Sequence, residues 1–231
     1  MHIPPAVPFA LGIFAMLTFA FAGSACSRSN HPDPAQVPDA GVTEQVAAKD
    51  TAPRQAILAG GCFWCVEAVY EMLEGVSDVE SGYIGGAENT ADYRTVCDGQ
   101  TGHAEAVRIT YDPAKITYEQ LLKVFFTTAH DPTQLNRQGN DRGTQYRSAI
   151  FPLSDEQANV ACAYIDQLNA TEQFNGNIVT TIETGHPFYP AETYHQDYAT
   201  NNPNDGYIRG VSRPKVEHTR EAFPDLLNDG E

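Results

Sequence analysis

Basic residues are scarce in this chain. It carries 14 Lys and Arg against 30 Asp and Glu, a formal net charge of −16. A surface that acidic repels phosphate backbones and argues against nucleic acid as a partner. No Lys or Arg precedes Arg28, and no apolar run reaches the roughly 20 residues of a bilayer-spanning helix. No internal repeat or second domain boundary interrupts the chain after Arg54. Nor does a second C-x-x-C accompany Cys62 and Cys65, and no cysteine follows Cys162. Zinc needs four nitrogen or sulfur ligands, so a single pair argues against a metal centre. The local signature of a papain-like protease is missing too. There is one tryptophan, Trp64, and it lies between the paired cysteines.

The N-terminal stretch holds an apolar run from Val7 to Ala22, followed by small residues. That pattern predicts a signal peptide over residues 1–25, with an uncleaved anchor helix as the alternative. The small residues ending at Cys26 resemble a bacterial lipoprotein signal, in which Cys26 would be acylated. Gly23 stands where such signals usually carry Leu. Either reading places the protein outside the cytoplasm, periplasmic or lipid-anchored to a bacterial membrane. Residues 26–53 are rich in Pro, Asp, Ala, Ser and Thr and are expected to be a disordered tether. From residue 54 to 231 the composition is that of one globular domain.

Within that domain RQAILAGG reads as a strand running into glycines. CVEAVYEMLEG reads as a helix, with Val66, Val69, Tyr70 and Leu73 on one face and Gly75 as its stop. AEAVRITYDP alternates as a strand does. Thr117 with Gln120, and Ser154 with Gln157, are capping-box patterns ahead of two further helices. QYRSAIF and NIVTTIE read as strands and AETYHQDYA as a short helix. The alternation is irregular, and SGYIGGAENTADYRTVCDGQTGHAE and HDPTQLNRQGNDRGTQY read as long polar loops. The expected fold is α+β, a two-layer sandwich with a mixed sheet flanked by helices and site-forming loops.

Cys62 falls at a strand-to-helix junction. A helix N-terminus carries partial positive charge and free N–H groups, which favour the reactive thiolate. The plain alternative is a buried structural thiol. Around the pair are further polar clusters: Tyr93 to Cys97, Gly102 to Glu105, Gln138 to Asp141 and Thr144 to Arg147. Each alone is weak, since a Glu before a strand is usually solvated and a loop Tyr usually packs. Together they offer a nucleophile, an acid, two phenolic donors and the apolar wall of Phe63 and Trp64. Such a set suits a substrate with one small apolar group and one oxygen that leaves only when protonated.

Those motifs resemble the class A methionine sulfoxide reductases. The likeness is carried by GCFW at Gly61 to Trp64, GYIGG at Gly82 to Gly86 and YRTVCDGQTGHAEAVRITYDP at Tyr93 to Pro113. HDP at His130 to Pro132, QGNDRGTQYRSAIF at Gln138 to Phe151 and FYPAETYHQDY at Phe188 to Tyr198 complete it. The resemblance covers nearly everything from Ile57 onward. It implies reduction of the S epimer of methionine sulfoxide, free or in proteins. By its motifs Cys62 corresponds to the nucleophile and Glu105 to the acid that protonates the sulfoxide oxygen. Phe63 and Trp64 correspond to the wall that holds the S-methyl group, and Tyr93 and Tyr146 to hydrogen-bond donors to the oxygen. Asp141 and His195 correspond to polar groups that shape the site and hold substrate.

One position departs from many relatives, which carry Gly where Cys65 stands and keep recycling cysteines in a Gly-rich tail. Cys65 is one helical turn from Cys62 and is expected to resolve the sulfenic acid as a Cys62–Cys65 disulfide. Cys97 and Cys162 are the competing resolving thiols. The expected enzyme needs neither metal nor bound cofactor, is recycled by a thioredoxin-like reductant and is a monomer. Two other readings stand beside it: a thioredoxin-like thiol–disulfide oxidoreductase, and a binding module that kept the fold without activity.

Overall fold

The computed structural model describes residues 32–44, 52–171 and 173–228. The expected signal peptide and Cys26 lie outside the described residues. Strand β1 (Arg54–Gly60) is buried from Ala56 onward on both faces, as an interior strand must be. Helix α1 (Phe63–Tyr70) follows after a two-residue turn. It ends at Tyr70, earlier than the expected stop at Gly75, because Leu73 leaves the helix to form a bridge with Leu227. Gly75 then turns the chain with φ +89°.

Strand β2 (Val76–Ile84) and helix α2 (Tyr93–Cys97) occupy much of a stretch expected to be loop. Ser81 to Ile84 are drawn into the sheet by pairing with Ala104 to Val107 of β3 (Ala104–Tyr111). Helix α2 begins where the Asp92 side chain accepts the Thr95 N–H at 3.1 Å. In helix α3 (Tyr118–Val124) the capping box of Thr117 and Gln120 is complete. A ribbon of β4 (Arg137–Gln138) and β5 (Asp141–Arg142) comes next, then β6 (Ser148–Ile150). Helix α4 (Asp155–Asn169) has half its expected box: Ser154 caps Gln157 N–H, while the Gln157 side chain takes Leu153 N–H instead. The strand expected in NIVTTIE shrinks to β7 (Thr181–Ile182), followed by β8 (Phe188–Pro190). Helices α5 (Tyr198–Asn201) and α6 (Arg213–Ala222) close the domain.

The main sheet has six strands in the order β7-β6-β1-β3-β2-β8. The β6–β7 pair is parallel and the others are antiparallel, so the sheet is mixed, as expected. Ala56, Leu58, Tyr83, Val107 and Ile109 face the main core, which α1, α3 and α4 complete with Val66, Val69, Leu121, Leu122, Val160 and Leu168. The opposite face carries smaller residues, Ala59, Ala104, Ala106 and Ala149, under Phe151 and Phe188. This α+β arrangement puts the C-terminal end of β1 and the N-terminal end of β3 beside the start of α1.

Within the expected tether, residues 32–44 lie against the domain. Val37 is buried in the main core. Tyr164 Oη donates to Pro38 O at 2.9 Å, and Gln167 Nε2 to Asp39 O at 2.9 Å. Ion pairs join Asp39 to Lys123 at 2.7 Å and Glu44 to Arg54 at 2.9 Å. One buried valine and backbone hydrogen bonds hold a stretch whose composition alone does not.

Candidate active site

The nucleophile turn depends on Gly61. Its φ is +91°, and a Cβ there would lie 2.5 Å from the Gln138 side chain. Only glycine meets both conditions without strain. Cys62 is the N-cap of α1, at the junction expected for it. Its carbonyl accepts the N–H of Cys65 at 3.1 Å, which stacks the two cysteines one turn apart. Both are buried. Here burial outweighs the helix N-terminus: desolvation, reinforced by the hydrogen bond with Cys65, pushes the Cys62 thiol well up. Cys65 moves the other way, to about 7, held down first by its hydrogen bond with Cys62 and then by the charge of Lys215. At rest the nucleophile is therefore a thiol, contrary to the thiolate expected from the helix start alone.

Glu105 stands on β3 opposite Tyr83 and points into the core face at 1% exposure. Its Oε2 accepts the Phe63 N–H at 3.1 Å, tying the acid to the residue after the nucleophile. Burial pushes its pKa up to about 8, against the smaller lowering by that hydrogen bond. At neutral pH it is an acid with a proton to give. Tyr93 and Tyr146 are pushed up, first by burial, and stay phenols that can donate.

The aromatic wall is built in depth. Trp64 stacks on Tyr198 at 3.9 Å and 12°. Behind it, Trp64 Nε1 donates to His195 Nδ1 at 3.2 Å. That bond leaves the His195 proton on Nε2, and burial lowers the ring's pKa, so it stands neutral. Phe63 packs on the same imidazole at 5.1 Å. Glu192 fixes the neighbouring edge by accepting from Tyr83 Oη at 2.9 Å and Tyr93 N–H at 3.0 Å.

A cavity of about 300 Å³ opens among these groups. Cys62, Phe63, Trp64, Tyr93, Glu105, Asp141 and Tyr146 line it, so seven of the expected site residues converge. His195, expected to shape the site and hold substrate, is not among the lining residues: it is buried and accepts the Trp64 Nε1 hydrogen bond. Cys65 is sealed under Cys62, away from the lining. Cys97, at the end of α2, and Cys162, on α4, are exposed and free. Among the described residues no group of three or more His, Cys, Asp or Glu is placed to hold a metal ion.

Three lining residues escaped the sequence reading: Tyr198, Asp205 and Tyr207. Tyr198 closes the FYPAETYHQDY motif and could have been found there. Tyr207 sits alone in a Gly/Asn-rich stretch with no local signal. It reaches the site because Asp205 Oδ1 accepts its N–H at 2.8 Å, and its hydroxyl donates to Asp141 Oδ2 at 2.5 Å. Glu67 was read only as part of a helix. It is buried, accepts from Ser81 Oγ at 3.0 Å, and desolvation pushes its pKa up to about 7.

A buried acid, a thiol backed by a second and an aromatic wall along one cavity fit a thiol-dependent oxidoreductase. Residues 54–226 match the family Peptide methionine sulfoxide reductase. A peptide methionine sulfoxide reductase MsrA of Deinococcus radiodurans is 55% identical over 190 residues, covering 80% of this chain and 92% of that protein. The reduced form of Mxr1 from Saccharomyces cerevisiae superposes with TM-score 0.59 at 35% identity, covering 71% of this chain and 93% of that one. Methionine sulfoxide reductase A of Corynebacterium diphtheriae gives TM-score 0.56 at 31% identity, covering 73% and 84%. The chain belongs to the peptide methionine sulfoxide reductase family. It is an oxidoreductase that reduces the S epimer of methionine sulfoxide, and the thiol–disulfide oxidoreductase alternative is not favoured.

Proposed function

We propose that Cys62 is the nucleophile, Glu105 the acid and Cys65 the resolving thiol of this reductase. The observation that carries the reading is the Glu105 Oε2 to Phe63 N–H bond, which holds a protonated carboxyl beside Cys62. The sulfoxide methyl packs against Phe63 and Trp64, and its oxygen faces Glu105, Tyr93 and Tyr146. Glu105 donates its proton to that oxygen as the Cys62 sulfur attacks, and the thiol proton of Cys62 restores Glu105. The Cys62 sulfur bonds to the substrate sulfur. The protonated oxygen then passes to Cys62 as the substrate's sulfur–oxygen bond and the transient sulfur–sulfur bond break. The thioether leaves and Cys62 becomes a sulfenic acid, oxidised by the two electrons the substrate gains. Tyr93 and Tyr146, both phenols, donate hydrogen bonds to the oxygen as charge develops on it. Asp141 shapes the polar side of the cavity, and His195 acts by holding Trp64.

Cys65 then attacks the Cys62 sulfenic sulfur, giving a Cys62–Cys65 disulfide and water. A thioredoxin-like dithiol returns both to thiols by exchange. We further propose export to the periplasm or a lipidated Cys26 anchor, supported by the apolar run from Val7 to Ala22 and the small residues before Cys26. A monomer needing no bound cofactor suffices for this chemistry, since each reacting group comes from one chain.

Cys65→Ser tests the reading. The variant should release one equivalent of methionine per enzyme and then stop with thioredoxin as reductant, while dithiothreitol restores part of the cycling. Peptide mapping of wild type after one equivalent of sulfoxide should show Cys62 bonded to Cys65. A Cys62–Cys97 or Cys62–Cys162 bond with Cys65 free would overturn it.

A further inference from the structure

Cys65 has no route to solvent of its own, being wholly buried on α1. A thiol that attacks a sulfenic acid must lose its proton, and here that proton needs an exit through the protein. The hydrogen bonds around it supply one. Cys65 Sγ donates to Tyr207 Oη at 3.8 Å, and Tyr207 Oη donates to Asp141 Oδ2 at 2.5 Å. Both bonds point the same way, from thiol to phenol to carboxylate. Their three residues come from α1, from the turn ahead of α6 and from β5. The turn is pinned by Asp205 Oδ1, which accepts the N–H groups of Tyr207 at 2.8 Å and Ile208 at 3.2 Å. Tyr207 and Asp141 both line the cavity, so a proton that reaches Asp141 has reached the substrate chamber.

We propose that Tyr207 is a catalytic residue of the resolving step, carrying the proton of Cys65 to Asp141, which acts through it. The inference rests on the reading of Cys65 as the resolving thiol. As the Cys65 sulfur attacks, its proton passes to Tyr207 Oη while the phenolic proton passes to Asp141. The S–S bond forms, the Cys62 S–OH bond breaks, and the departing hydroxyl takes the Glu105 proton to leave as water. Asp141 returns its proton to Glu105 through the shared cavity. One disulfide and one water result, with both carboxyls as they began. The charged and titratable groups acting on Cys65 include Cys62 on its own helix, Lys215 on α6, Tyr207, Asp141 and, from β3, Glu105. Lys215 is anchored by donating to Ala129 O at 2.8 Å and favours the thiolate as the proton leaves.

The test mixes the reduced full chain with one equivalent of methionine-S-sulfoxide between pH 6 and 9. Quenched samples report methionine release and the Cys62–Cys65 bond separately. In Tyr207→Phe, bond formation should lag methionine release by about 10²-fold at pH 6, the lower worth of a positioned proton carrier. The lag should shrink toward pH 9, where Cys65, held down to about 7, already stands largely as thiolate and has no proton to pass on. Asp141→Asn should show the same pH-dependent lag and covers the case in which Tyr207→Phe fails to fold. A lag that is absent or equal at every pH would overturn the relay alone. Wild type with Cys65 left free would overturn the resolving role and the relay together.

Discussion

Glu105 Oε2 lies 3.1 Å from the backbone nitrogen of Phe63, so the acid of this site is fastened to the first turn of the helix that Cys62 caps. The bond occupies one carboxyl oxygen and leaves the other to carry the proton toward the cavity. Glu105→Gln keeps the shape and the Phe63 contact but has no such proton. It should slow sulfoxide reduction by about 10²–10⁴-fold in stopped-flow single turnovers, with substrate affinity little changed. In wild type the rate should fall above about pH 8 as Glu105 ionises, and that alkaline limb should vanish from the residual rate of the variant.

The same carboxyl should weaken the fold in alkali. Its pKa is raised to about 8 by burial, and that of Glu67 to about 7. Between about 4.5 and those values the native state holds protons that the unfolded chain has released, so stability falls as pH rises through this window and then levels off. Glu105→Gln should therefore match wild type near pH 4 and unfold at higher temperature than wild type at pH 9. Calorimetry at the two pH values checks it; an equal difference at both would contradict it.

Gly61→Ala should fail at the nucleophile. The added Cβ would sit 2.5 Å from Gln138 and force a φ of +91° on an L side chain. The expected cost is about 1–3 kcal/mol, and Cys62 must shift with the turn. Chemical unfolding should show the lost stability, and single turnovers should show a loss of rate beyond the unfolded fraction.

The strap of residues 32–44 should stabilise the domain without entering its chemistry. Val37→Ala removes buried methyl groups and should cost about 1–2 kcal/mol in urea unfolding. Sulfoxide reduction by the folded variant should keep the wild-type rate, since none of these residues lines the active-site cavity. An unchanged midpoint would show that the strap does not hold the domain.

The chain itself determined what local chemistry can encode. Glycine before Cys62, a strand leading into it, a complete capping box at Thr117 and the alternation of β3 are rules of backbone geometry and period, and each appears in the fold. The motifs around Cys62, Tyr93, Glu105, Asp141 and Tyr146 were legible because each site residue sits within a dense local pattern. Tertiary structure decided what depends on distant neighbours. Ser81 to Ile84 became strand only because β3 and β8 offered partners, and residues 32–44 lie against the domain because α3 and α4 left a place for Val37. His195 meets Trp64 across 131 residues of sequence, accepting its indole N–H. Burial of Cys62 reversed the protonation that its helix position favoured. Desolvation and hydrogen bonding between elements far apart in sequence set these outcomes, and no local stretch of residues carries that information.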